Sequence, residues 1–165
     1  MTELSGVKIG DEHIALLREF LCGDTEEPVG YGESITDNDV VAHNLLSYSA
    51  FAVAVLRKFS PTYSVPEIIK YVAELRKVVV DEESLHINPR VAEGMIREVL
   101  QDKTLKDAAP FGADDEAVAR AGFLVLLDFF HNADLDGPAL EEFLQESADY
   151  ARWLLAAQQA RQTVG

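Results

Sequence analysis

Along most of this chain apolar residues recur at spacings of three and four, the period of helices that bury one face. No run alternates β-branched and polar residues between hairpin turns, so no strand is predicted. The most apolar stretch is AVARAGFLVLLDFFH, from Ala117 to His131. It predicts a central buried helix over about 114–131. Asp114, Asp115 and Glu116 crowd its start, where carboxylates complement the positive end of the helix dipole.

The same reasoning places the other helices. Asp11 to Cys22 carries Ile14, Leu17 and Leu21 on one face, and Gly23 supplies a left-handed stop. Thr36 followed by Asp39 is a helix start signal, and Pro61 ends that helix near Phe59. Val41, Leu45, Tyr48, Ala52, Val55 and Phe59 form a seam along it, with His43, Ser47, Ala50 and Ala54 on the adjoining face. Ser64 and Glu67 make a capping box with Pro66 in the first turn. The helix they open points Ile68, Val72, Leu75 and Val79 inward, and Glu67, Lys70, Glu74 and Lys77 outward. Asn88 caps a further helix begun by Pro89, with Ala92, Ile96 and Val99 inside and a Glu93–Arg97 pair outside. The last helix runs from Gly137-Pro138 to about Ala160 on a stripe of Leu140, Phe143, Leu144, Ala148, Ala151, Leu154 and Leu155, bordered by Tyr150 and Trp153.

Two longer connections separate these elements. The segment 24–35 is rich in Gly, Pro and acids, with Tyr31 as an anchor to the core. The segment 102–113 has Leu105 and Phe111 in that role. Residues 1–10 and 162–165 are expected to fray. The predicted fold is therefore all-α: one domain over 1–165, a bundle of five to seven helices around the 114–131 helix, which packs against the 36–59 and 138–160 helices.

At 165 residues the chain is long enough for one sizeable core. Met1 to Gly10 has no apolar signal-peptide region, and no segment offers the roughly 18 uninterrupted apolar residues of a membrane span. The expected location is cytoplasmic. Cys22 is the only cysteine, which excludes an intramolecular disulfide and a Cys-based zinc site; at a helix end it reads as an apolar filler. The net charge of -15 argues against nucleic acid and against anionic membranes, and favours a basic protein partner or a cation.

Candidate chemistry is sparse. Asn132, Asp134 and Asp136 before Gly137 resemble the first half of an EF-hand calcium loop, a possible divalent-metal site. The second half fails, because counting from Asn132 puts Phe143 where a bidentate Glu is required. The simpler reading is that Asn132 ends one helix in left-handed geometry and Asp136 or Gly137 caps the next. Three carboxylate–histidine pairs share a helical face: Asp39 with His43, Glu83 with His86, Asp128 with His131. With 29 acids and 4 His, loose pairs of this kind arise by chance, so they do not define a metal site alone. No cofactor is predicted. Asp128 is the oddest residue, a carboxylate between apolar neighbours that must be paired, hydrogen-bonded or protonated if buried. His131 is its nearest partner in sequence, and Arg120 could share a solvated edge with it.

No Gly-x-Ser-x-Gly elbow or Gly-rich phosphate loop is present, so nucleophilic catalysis has little support, and the balance leans away from an enzyme. The leading expectation is an acidic helical interaction or regulatory module, with a last-helix stripe compatible with a homodimer. The alternative is a bundle that binds a small ligand or metal through His43, Asp128 and His131.

Overall fold

The computed structural model describes residues 4–23, 35–79, 86–105 and 113–164. Among these residues the fold is all-α. It has six helices: α1 (Asp11–Cys22), α2 (Asp37–Phe59), α3 (Val65–Val79), α4 (Pro89–Val99), α5 (Asp115–Asn132) and α6 (Gly137–Val164). The predicted connections at 24–34 and 106–112, with Tyr31 and Phe111, lie outside the described residues, as does Glu83.

The helix starts follow the chemistry of their caps. Thr36 and Asp39 bond reciprocally: the Asp39 backbone N–H donates to Thr36 Oγ1 at 3.2 Å, and the Thr36 N–H donates to Asp39 Oδ2 at 3.0 Å. Ser64 Oγ accepts from the Glu67 N–H at 3.3 Å. Asn88 Oδ1 accepts from Arg90 and Val91 at 3.1 and 3.4 Å. Asp114 Oδ1 accepts from Ala117 at 2.8 Å. Each satisfies a backbone donor that has no partner inside its own helix. Gly23 ends α1 at φ 65, in the left-handed region that glycine enters without steric cost.

The chain divides into two compact units, Met1–Val53 with Leu135–Gly165, and Ala54–Asp134. The first holds α1, most of α2 and α6. In it α1 packs on α6, with Ile14, Leu17 and Leu21 buried on one side and Leu140, Phe143, Leu144, Ala148, Ala151 and Leu155 on the other. Arg18 and Glu141 join the two helices through paired 2.8 Å bonds. In the second unit α3 packs on α4, and α4 packs on α5. Although short, α4 buries Val91, Ala92, Gly94, Met95, Ile96 and Val99. It is a neighbour for α5 that periodicity did not single out.

Five expectations need correction. The 4–10 segment does not fray: Val7 and Ile9 are buried. Its carbonyls are held by α6, with Gln159 Nε2 donating to Leu4 O at 2.7 Å and Arg152 donating to Ile9 O at 3.2 Å. For the same reason α6 stays helical through Val164, past the expected end near Ala160. The α2 seam holds in its second half, where Ala52, Val55 and Phe59 are buried, and is displaced in its first. Ala42, Leu46, Ser49 and Ala50 are buried, whereas Val41 and Leu45 are half-buried and Tyr48 is exposed. Positions 50–55 are buried all round, so no single stripe carries that part of the helix. Cys22 is exposed, because the last turn of α1 presents Leu21 to the core instead. Arg97 reaches Asp102 at 2.7 Å and Thr104 at 2.9 Å, where pairing with Glu93 was expected.

Among the described residues α2 is long and apolar enough to cross a membrane, but half of its apolar window is buried in the fold. The core helix of a folded domain meets the same criterion.

Candidate functional site

Asp128 sits on α5, with Leu124, Val125 and Leu126 buried a turn before it. Its side chain is half-buried and hydrogen-bonded on both oxygens. Tyr71 Oη, from α3, donates to Oδ2 at 2.8 Å, and Asn132 Nδ2 donates to Oδ1 at 3.0 Å. Neither partner is the one that sequence spacing favoured. His131 is exposed and stacks edge-on with Phe130 at 5.8 Å, while Arg120 pairs with Glu116 at 2.8 Å.

Tyr71 is the hub of this region. Its ring meets Phe59 edge-on at 5.6 Å, and Lys58 Nζ lies 4.7 Å from its centroid. Both residues come from the last turn of α2. Burial, and then the negative charge and hydrogen bond of Asp128, push the phenol well above its ordinary ionisation range. Tyr71 is therefore a hydrogen-bond donor at every physiological pH. Beside it opens a cleft of about 230 Å³ lined by Lys58, Tyr71, Glu74, Leu75, Val78, Asp128 and Asn132.

His43 is in the first unit, whereas Asp128 and His131 are in the second. His43 is half-buried, and its Nδ1 is buried without a hydrogen-bond partner among the described residues. Burial, and secondarily the neighbouring His13, hold its pKa below the ordinary histidine value. The Asp39–His43 pair predicted from helical spacing is not the pairing found. Asp39 Oδ1 instead bonds His13 Nε2 at 3.1 Å, and Oδ2 accepts from the Thr36 hydroxyl at 2.8 Å.

Glu12, His13 and Asp39 form the one cluster of His, Cys, Asp or Glu ligands among the described residues that is compact enough for a metal ion. Its hydrogen bonds describe a structural joint. The buried His13 accepts the Gly10 N–H on Nδ1 at 2.9 Å, which leaves Nε2–H to donate to Asp39. Both ring nitrogens are thus committed, and a metal would have to displace one bond or the other. Sequence reasoning passed over His13. Its signal was a polar residue three positions after Gly10, where a side chain can reach back to the free N–H that precedes a helix.

The calcium-like turn is also built differently from the expectation. The left-handed residue is Asp134, at φ 50, rather than Asn132, and Gly137 follows at φ 47. Asp and Asn enter that region more readily than other side-chain-bearing residues. The Asn132 side chain is turned back to Asp128. The Asp136 carbonyl accepts from Ala139 and Leu140 at 3.1 and 3.3 Å, starting α6.

The surface of α6 has its own feature. Trp153, the only tryptophan, is 63% exposed, with the Tyr150 ring 5.7 Å away. Exposed Ala156 and Ala160 continue this face, and exposed Glu146 and Asp149 precede it. No family model matches the chain, and neither a curated protein nor a solved structure is similar to it. The fold defines the class, an all-α protein, and function must be argued from the sites themselves.

Proposed function

We propose that this protein is an acidic helical interaction module that docks a basic partner segment on the Trp153 face of α6. The exposure of Trp153 carries the reading. An indole left in water forgoes a burial worth a few kcal/mol, and Trp and Tyr are among the side chains most enriched at the energetic centres of interfaces. Glu146 and Asp149, a turn or two before it, supply the sign of charge that a Lys- or Arg-rich segment would meet. The net charge of -15 would speed the encounter and make it salt-sensitive. The small Ala156 and Ala160 side chains leave room for a second helix to lie alongside.

The test is retention of one defined basic partner by immobilised protein at low salt, with elution as salt rises, compared between the wild type and Trp153→Ala. Loss of the partner by a variant of unchanged thermal stability supports the proposal. A protein that holds no partner at low salt, or a variant that holds it equally well, refutes it.

A further inference from the structure

The cleft on the second unit carries a site with unspent charge of both signs. Asp128 receives two hydrogen bonds, both from neutral donors, and among the described residues no cation lies within ion-pair distance of it. Lys58 lines the same cleft with its ammonium over the Tyr71 ring, and it too has no ionic partner among the described residues. Opposite charges free to meet in one small cleft ordinarily form an ion pair. These two instead each contact Tyr71, which holds Asp128 by its hydroxyl and Lys58 by its ring face. Leu75, buried, and Val78, 74% exposed, line the cleft with apolar surface. At about 230 Å³ the cleft is smaller than the roughly 300–1,000 Å³ sites that take drug-sized molecules, which points to a metabolite-sized occupant.

We propose that this cleft binds a small zwitterion of the α-amino-acid type, with its ammonium on Asp128, its carboxylate on Lys58 and an aliphatic side chain against Leu75 and Val78. Each free lone pair on Asp128 can accept an N–H of the ammonium without breaking the bonds from Tyr71 and Asn132. Those two bonds fix the carboxylate in place, so little ordering cost remains at binding. Lys58 swings on a flexible stem and can leave the ring face to meet a carboxylate. Glu74, already paired with Lys77 at 3.5 Å, adds a second negative group to the lining. A purely anionic ligand would meet two carboxylates, and a purely cationic one would leave Lys58 uncompensated and repelled.

The experiment is isothermal titration of the full chain with glycine, L-alanine, L-valine, L-leucine and L-methionine. It is repeated for the best binder with its amide, which lacks the carboxylate, and with its desamino acid, which lacks the ammonium. Removing either charged contact should weaken binding about tenfold or more. Lys58→Met should lower affinity for the amino acid without lowering affinity for the amide, from which it removes a repelling charge. Asp128→Asn, which can still accept from Tyr71, should abolish binding of both. Absence of heat with all five amino acids up to about 10 mM overturns the site. So does either truncated analogue binding as tightly as its parent amino acid, or wild-type affinity in a Lys58→Met protein with an unaltered helical circular-dichroism spectrum.

Discussion

Tyr71 on α3 donates its hydroxyl to Asp128 on α5 across 2.8 Å, and this bond ties two helices that both pack on α4. A hydrogen bond to a charged group contributes about 1.5–3 kcal/mol when well shielded, and this one is only half-buried. Tyr71→Phe is therefore expected to cost about 1–2 kcal/mol in urea denaturation. Asp128→Asn should cost less, since an amide oxygen still accepts. In a double-mutant cycle the two effects should fall well short of additive. Additive losses would show that the bond does not couple the helices.

His43 gives the fold a dependence on mild acid. Its pKa in the folded state lies below the ordinary 6.5 because burial disfavours the charged ring. The unfolded chain then binds the proton first. The contribution of neutral His43 is complete above about 6.5 and is lost as pH falls through the lower folded value. Denaturation midpoints should drop from neutral pH toward pH 5, and His43→Gln should flatten that slope. A slope unchanged by the substitution would remove His43 as its source.

Asp102 acts further into the acid range. Hydrogen bonds from Thr104 and then Arg97 push its carboxyl down from 3.8 to about 2. The stabilisation is present in full above the ordinary value and disappears as pH falls from there toward the folded one. Thr104→Val should bring forward the acid loss of the α4–loop junction. Hydrogen exchange of the Thr104 amide, which donates to Asp102 Oδ1 at 2.9 Å, reports it directly.

Two aromatic residues on α6 should behave oppositely. Phe143 is wholly buried, and Phe143→Ala is expected to cost about 3–5 kcal/mol. Trp153 is mostly exposed, and Trp153→Ala should shift stability by no more than about 0.5 kcal/mol. Thermal unfolding of the two variants checks both. A Trp153 variant destabilised as strongly as the Phe143 one would assign the indole to the core and remove it as a docking residue.

Local signals carried most of the fold. The caps at Thr36, Ser64, Asn88 and Asp114 and the stop at Gly23 use chemistry confined to three or four consecutive residues, and each could be read directly. Long-range partners could not. Spacing paired Asp39 with His43 and Asp128 with His131, because neighbours on one helix are visible in a sequence. The bonds found run to His13, 26 positions away, and to Tyr71, 57 positions away. Asp128 was recognisable as a carboxylate in need of partners; Asn132 lies one turn on in the same helix, but Tyr71 depends on how α3 and α5 are arranged around α4. The first half of the α2 seam was misphased for a different reason: a helix buried on all sides over 50–55 offers no polar face from which to fix the phase of the turns before it.

The attachment of residues 4–9 to Arg152 and Gln159 bears on the order in which the chain can mature during synthesis. The unit from Ala54 to Asp134 is continuous and can gather its helices as soon as that stretch leaves the ribosome. The other unit joins the beginning of the chain to its last helix, so Val7, Ile9, Ile14 and Leu17 emerge first and must wait for α6. Until then these side chains are exposed apolar surface for a chaperone to hold, and a chain released after Asp134 would contain all of the second unit and only part of the first.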